Sequence, residues 1–279
     1  MRIASRPTSQ LSLSNPGQLE LYFIGTGAAF AKTLNQNNLV VTKGDAHLLV
    51  DCGTKCSQSL HEIGLPISRI QNFLITHSHA DHIGGLEEVQ LHARFVEHRK
   101  PTMIINEEYE EILWDQSLRG GSERSEMSPL TFADLWQIIR PERLEGAPRE
   151  TWHARLGDID IKMPRTMHFP DTSKSWADSQ WSCGVILDDR VLFTSDTRFD
   201  RDLLETFDDV YDFDVIFHDC QLFRGGVHAS LDELVTLPDR LKAKTMLMHY
   251  GDEWQKFRQY GLDNGFMGWA EQGHSYSFD

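Results

Sequence analysis

The sequence predicts a mixed α/β fold. Short apolar, β-branched runs recur along the chain, stretches with helical spacing interleave with them, and no segment repeats. Strands are expected first at Leu19–Ile24, Leu39–Val41, His47–Val50, Asn72–Ile75 and Met103–Ile105, then at Ile159–Met163, Gly184–Leu187, Val191–Thr194, Val215–Phe217 and Thr245–Met248. Gly157-Asp158 reads as a hairpin turn between His153–Leu156 and Ile159–Met163, and Asp188-Asp189 as another between Val185–Leu187 and Val191–Phe193. Helices are expected at Cys56–Glu62, Gly85–His98, Glu107–Leu118, Ser230–Leu237 and Glu253–Tyr260, with Ser230 three residues ahead of Glu233 offering a capping box.

With 279 residues the chain can bury one sizeable core. A flexible N-terminal arm over 1–18, rich in Ser, Pro and Gln, is expected to precede a single domain over 19–279. From about 106 to 150 the sequence turns polar and acidic, carries Gly120-Gly121 and Pro129, and holds Trp114, Phe132 and Trp136. This reads as an inserted, largely helical segment. Surface packing or a dimer contact suits its aromatics better than a substrate lid, because aromatics at helical spacing are usually core.

Hydrophobic residues at 40% and charged residues at 25% exclude a disordered chain. No apolar run reaches the roughly 18 residues of a spanning helix. The start lacks the apolar core and small-residue cleavage site of a signal peptide, so a cytoplasmic location is expected. Cys52, Cys56, Cys183 and Cys220 lack zinc-finger spacing and read as buried, reduced thiols. A net charge of −15 without any Lys/Arg block disfavours a long nucleic-acid partner but leaves room for a small anionic substrate, since divalent cations can invert the potential of one pocket.

Residues Thr76–Gly85 read T-H-S-H-A-D-H-I-G-G directly after the apolar run Phe73-Leu74-Ile75. His77, His79, Asp81 and His82 crowd ligand types into one loop, which points to a metal site with two ions. Four residues cannot complete two coordination shells. His168, Asp196 and His249 each follow an expected strand, where loops build sites. Singly a histidine after a strand is more often structural; jointly with the loop, these three read as the remaining ligands.

With these residues in this order, the chain resembles the metallo-β-lactamase superfamily from Leu19 onward. The resemblance implies a four-layer αβ/βα sandwich with the metals at one edge of the two sheets. It implies that His77, His79 and His168 hold one ion, that Asp81, His82 and His249 hold the other, and that Asp196 bridges them. Asp51 resembles the superfamily's buried aspartate that braces the histidine loop; a turn or N-cap aspartate is the plainer reading. The donors suit Zn(II) best, and Mn(II) or Fe(II) as well.

Two such ions imply hydrolysis, with a metal-bridging hydroxide as nucleophile. Val215-Ile216-Phe217-His218-Asp219-Cys220-Gln221 and Gly225-Gly226-Val227-His228-Ala229-Ser230 resemble the segments of ribonuclease Z-type phosphodiesterases that carry a His-Glu-Ala-Thr strand end and a His-Ser-Thr loop. Gly25-Thr26-Gly27 and Ser195-Asp196-Thr197-Arg198 also look like motifs of that group. The resemblance implies His228 as the acid for the leaving oxygen, with Asp219, where that group has Glu, orienting it; Asp81 joins them as a candidate catalytic residue. A capping histidine is the alternative for His228, and His218 reads as a strand-end hydrogen-bonding residue. Only 27 residues separate His168 from Asp196, too few for the long arm that grips transfer RNA.

A di-metal phosphodiesterase for a small, cyclic nucleotide-type phosphodiester is therefore expected. The alternatives are a ribonuclease Z-like RNA endonuclease, a thioesterase or lactonase of the same fold, and a non-catalytic, metal-stabilised binding protein. A two-iron oxidoreductase finds no flavin or thiolate partner. Trp176, Trp181 and Lys174, in the loop after His168, offer a place for a base and a phosphate, although tryptophans beside a strand are more often packing residues. His47, His61, His92, His98, His153 and His274 lack ligand spacing.

Overall fold

Residues 48–50 show how the layers arise. Leu48 and Val50 face one way along a strand and Leu49 the other, yet all three are fully buried. Such a strand must be covered on both faces, which gives a near-continuous apolar run instead of alternation. The computed structural model describes residues 1–5 and 11–279. Its strands are β1 (Arg2–Ser5), β2 (Leu19–Phe23), β3 (Leu39–Lys43), β4 (Ala46–Val50), β5 (Asn72–Leu74), β6 (Thr102–Ile104), β7 (Gln137–Ile139) and β8 (Glu142–Arg143). The others are β9 (Thr151–Leu156), β10 (Ile159–Pro164), β11 (Val185–Leu187), β12 (Val191–Phe193), β13 (Val215–Asp219), β14 (Thr245–Met248), β15 (Gly268–Trp269) and β16 (His274–Phe278).

They form two sheets, ordered β1-β16-β2-β3-β4-β5-β6-β7 and β15-β14-β13-β12-β11-β10-β9-β8. Each is mixed: β4 to β7 and β12 to β15 are parallel, the rest antiparallel. The sheets face each other across Phe23, Leu48, Val50 and Leu74 on one side and Ile161, Val185, Phe193 and Phe217 on the other. Phe73, Leu49 and Met103 point outward onto a helical layer that supplies Leu60, Leu86 and Tyr109. Ile186, Leu192 and Ile216 do the same on the far side, against Leu203, Phe207 and Leu234. The result is the four-layer α/β/β/α sandwich of the metallo-β-lactamase fold, as expected.

Every strand expected from the sequence is present within a residue or two. The helix expected over 85–98 is shorter, Leu86–Phe95, and is preceded by a separate turn of helix, Ala80–Ile83, at the metal loop. The one expected over 230–237 shrinks to Leu231–Leu234, with its capping box intact: Ser230 N donates to Glu233 Oε2 at 2.9 Å. The helix Arg201–Tyr211 was not anticipated, although Asp200 caps it through Leu203 N and Leu203, Leu204 and Phe207 mark its buried face. Of the stretch read as an arm, residues 6–10 lie outside the described residues, while β1 pairs with β16 and Leu11 is buried. Between 106 and 150 the chain forms short helices, β7 and β8, with Phe132 and Trp136 in the core. Among the described residues no helix is long and apolar enough to cross a membrane.

Candidate metal centre

The strands that carry the expected site residues all end at one edge of the sandwich. His77 follows β5, His168 follows β10, Asp196 follows β12, Asp219 closes β13 and His249 follows β14. Three residues at this edge adopt left-handed backbone angles: Asp51 (φ 64°), Ser195 (φ 52°) and His249 (φ 56°). Each costs about 1–2 kcal/mol for a non-glycine residue. Such strain persists where the surroundings dictate the conformation, and it clusters at functional sites.

Two groups of ligand atoms converge there. His77 Nε2 and His168 Nε2 lie 3.0 and 3.1 Å from His79 Nδ1, and each lies 3.8 Å from Asp196 Oδ2. In the second group His82 Nε2 lies 3.3 Å from Asp81 Oδ2 and 3.2 Å from Asp196 Oδ2, and His249 Nε2 lies 3.4 and 3.3 Å from the same two oxygens. Asp196 Oδ2 is common to both. Within each group the atoms lie within 4.8 Å of one another.

These residues fit a pair of divalent cations. His82 Nε2 and Asp196 Oδ1 are buried without a hydrogen-bond partner among the described residues, although His82 Nε2 has two carboxylate oxygens close by. Their contacts are convergent rather than aligned for hydrogen bonding. Two far nitrogens are occupied: His82 Nδ1 donates to Asp51 Oδ2 at 2.7 Å and His168 Nδ1 to the Val227 carbonyl at 2.8 Å, while His249 Nδ1 faces Asp219 Oδ1 at 3.2 Å without hydrogen-bond alignment. This leaves the inward nitrogens of His82 and His168 as lone pairs, the usual support for a ligating imidazole. Burial pushes His168 down to about 4 and His77 well below its ordinary value, so both are held neutral. Burial opposes charge on His82 and His249 too. There the carboxylates outweigh it, Asp196, Asp81 and Asp51 around His82 and Asp196 and Asp219 around His249, and hold both well above the imidazole range. Carboxylates packed this densely require positive charge, which a cation supplies in place of protons.

Asp51 braces the loop. Its Oδ1 accepts from Thr76 N at 2.8 Å while Oδ2 accepts from His82 Nδ1, and Thr76 Oγ1 reaches across to Ser195 Oγ at 2.8 Å, tying the two sheets together. The helix Cys56–Glu62 has Lys55 as its N-cap, so Asp51 is not a cap. Gly53 presses the same turn onto the metal loop, where a Cβ would lie 2.0 Å from the Asp81 carbonyl. Asp51→Asn keeps the shape but makes one acceptor a donor, so either Thr76 N or His82 Nδ1 loses its partner. Metal affinity is expected to fall about 10–100-fold, as measured by titration against a competing chelator.

Asp219 sits beside the second group. Its Oδ2 accepts from Thr197 N at 2.9 Å and from His228 Nδ1 at 2.7 Å, so a side chain one methylene shorter than Glu still reaches the histidine. Burial disfavours charge on His228, but the Asp219 carboxylate outweighs it and raises its value. His218 points elsewhere, its Nδ1 donating to the Asp219 carbonyl at 2.6 Å. The His228 ring lines a cavity of about 520 Å³ together with His249, Ala28, Phe30, Phe223 and Phe257.

All seven expected ligands, together with Asp219 and His228, thus meet in one place. The other histidines do not: His153, for instance, pairs with Asp160 at 2.8 Å. Neither Trp176, Lys174 nor Trp181 lines the cavity; Trp181 is buried, stacked on Tyr109 at 5.6 Å and covered by Arg165. Tyr109 in turn places its hydroxyl 3.2 Å from Ser78 Oγ in the histidine loop. Sequence reasoning missed Phe30 and Phe223, for which an exposed aromatic in a loop is the only local signal.

A family profile described as Anti-Pycsar protein Apyc1 matches residues 19–276. A relative of that name from Paenibacillus harenae is 37% identical over 242 residues, covering 86% of this chain and 93% of its own. Another from Bacillus phage vB_BsuM-Goe3 is 38% identical over 261 residues, covering 91% and 96%. Among solved structures, the metallo-β-lactamase fold protein YhfI from Bacillus subtilis matches with a TM-score of 0.67 at 15% identity, over 94% of this chain and 100% of that one.

Proposed function

The chain belongs to the family of Anti-Pycsar protein Apyc1, phosphodiesterases on the metallo-β-lactamase fold, and from that premise we propose that it opens a small cyclic nucleotide by hydrolysis. His77, His79 and His168 would hold one divalent ion, Asp81, His82 and His249 a second, and Asp196 both. Zn(II) is the proposed metal, since imidazole and carboxylate donors without a thiolate suit it. Bound there, the ions would supply a water ionised near neutral pH and positive charge for the oxygens on phosphorus.

The chain's own residues position and protonate. Asp51 fixes the His82 ring, Asp219 fixes His228, and the left-handed turn at His249 aims its ring inward. Opening a cyclic phosphodiester breaks one phosphorus–oxygen bond and leaves an alkoxide on the sugar, which needs a proton. His228 is placed to give it. The observation that carries the reading is this Asp219–His228 pair standing against two ligand groups that share Asp196. A thioesterase would have no use for it. The net charge of −15 and a cavity within the roughly 300–1,000 Å³ of small-molecule sites favour a small substrate over a folded RNA.

The same reading has the enzyme acting in the cytoplasm as a single unit over 19–279, with 106–150 as an insertion that props the histidine loop through Tyr109 and mediates a homodimer. The test is metal-stripped protein reloaded separately with Zn(II) and Mn(II) and offered a cyclic nucleotide, bis(p-nitrophenyl) phosphate and a thioester. Metal-dependent opening of the cyclic nucleotide is expected, with Zn(II) the better ion. Thioester cleavage without phosphodiester cleavage would overturn the proposal.

A further inference from the structure

We propose that Phe30 and Phe223 are the two jaws of a clamp for the substrate's base, and that Phe223 couples base binding to proton delivery because it shares a loop with His228. The proposal rests on the cyclic-nucleotide reading above. Both rings stand largely in water, Phe30 at 88% and Phe223 at 69% exposure. Single exposed aromatics are ordinary. These two come from loops about 190 residues apart in sequence and line the same cavity as His228 and His249, with Ala28 and Phe257 adding to an apolar wall.

The chemistry dictates which side the base occupies. The oxygen that leaves phosphorus belongs to the sugar, and the sugar carries the base. The nucleoside must therefore lie on the side from which the acid delivers its proton, and that is the side of Phe30 and Phe223. An aromatic face stacks on any base. In the other aromatic loop near the site Trp181 is packed away beneath Arg165, Phe169 lies against the His79 ring at 4.7 Å, and neither they nor Trp176 line this cavity.

The jaws differ mechanically. The Phe30 loop is tied down: Ala28 N donates to the Tyr250 carbonyl at 3.0 Å, Asp252 accepts from Lys32 N and Thr33 N at 2.8 and 2.9 Å, and Lys55 Nζ holds the Ala31 carbonyl at 2.8 Å. The Phe223 loop is held by Gln221 N on the Ala229 carbonyl, by His228 on Asp219, by His168 Nδ1 on the Val227 carbonyl at 2.8 Å, and by the side chains of Gln221 on the Gly225 carbonyl and Arg224 on Asp232. Within it Gly225 and Gly226 take φ of 86° and 89°, where a side chain would be strained, and a Cβ on Gly225 would meet nothing. A base stacked on Phe223 would thus fix the segment that ends in His228.

The experiment compares a 3′,5′-cyclic nucleotide with its abasic counterpart, the cyclic phosphate of methyl riboside, for wild type, Phe30→Ala, Phe223→Ala, Phe30→Trp and Phe223→Trp, each checked for particle mass by light scattering. Wild type should prefer the base-bearing substrate by about ten- to a hundredfold in kcat/KM. Each alanine variant should lose most of that preference and each tryptophan variant keep it. Phe30→Ala should act mainly on KM, and Phe223→Ala on kcat as well. A preference that survives both alanine changes overturns the clamp. So does an equal loss on both substrates with a change in particle mass, which would make the pair a subunit contact. A wild type inert toward both substrates would instead overturn the cyclic-nucleotide reading itself.

Discussion

Replacing His228 by alanine is expected to lower cyclic-nucleotide opening by about 10²–10⁴-fold, the range for one positioned acid, while the metal content stays as it was. The two readouts separate because Asp219 retains Thr197 N at 2.9 Å and His249 Nδ1 at 3.2 Å when His228 is gone, so the wall of the metal centre keeps its partners. The leaving group supplies a further check. A sugar alkoxide needs a proton, whereas p-nitrophenolate departs without one, so the same variant should lose far less on bis(p-nitrophenyl) phosphate. An equal loss on both esters would show that His228 only shapes the pocket. The measurement is steady-state turnover on both esters beside elemental analysis of the purified variant.

Asp196→Ala should be the most damaging single change. Asp196 Oδ2 is where the two ligand groups meet, within 3.2–3.8 Å of the inward nitrogens of His77, His82, His168 and His249. Removing it leaves buried imidazoles facing one another and takes a ligand from both ions at once. Metal content is expected to fall below one ion per chain, and turnover by more than about 10³-fold, since the charge stabilisation two metals give is worth several kcal/mol. Retention of one tightly held ion would show that the groups load independently. Circular dichroism on the same samples separates metal loss from unfolding.

The site was legible in the sequence to the extent that it is local. His77, His79, Asp81 and His82 fall within six positions because one loop leaves one strand. His168, Asp196 and His249 were readable as strand-end residues once that loop had been recognised, because β10, β12 and β14 run in the same direction and bring their carboxyl ends to one edge. What stayed hidden depends on chain segments distant in sequence. The bridge from Thr76 to Ser195 spans 119 positions, and nothing near either residue announces it. The strained angles at Asp51, Ser195 and His249 have no glycine to mark them. Phe30 and Phe223 carry meaning only once the loops meet.

The layers followed from the apolar runs, but short or polar strands escaped. β8 is two exposed residues, Glu142-Arg143, and β15 is two residues set by its neighbour β14. β16, His274–Phe278, alternates in a readable way, with Tyr276 and Phe278 in the core, yet its serines and histidine dilute the signal. Arg201–Tyr211 was legible in principle, with Asp200 as its cap and Leu203, Leu204 and Phe207 on one face.

The position of β16 between β1 and β2 governs how the protein can be made. Glu20 on β2 meets Ser275 on β16, a partner that leaves the ribosome 255 residues later. Throughout that interval β2 has an unpaired edge, with Leu19, Leu21 and Phe23 in its sequence, the kind of strand that pairs with a stranger when its own partner is missing. His249 also emerges late, so the same interval lacks a member of the candidate metal centre. A nascent chain is therefore sticky before it is useful, and one of its earliest strands stays open to wrong pairing until its last strand has been made.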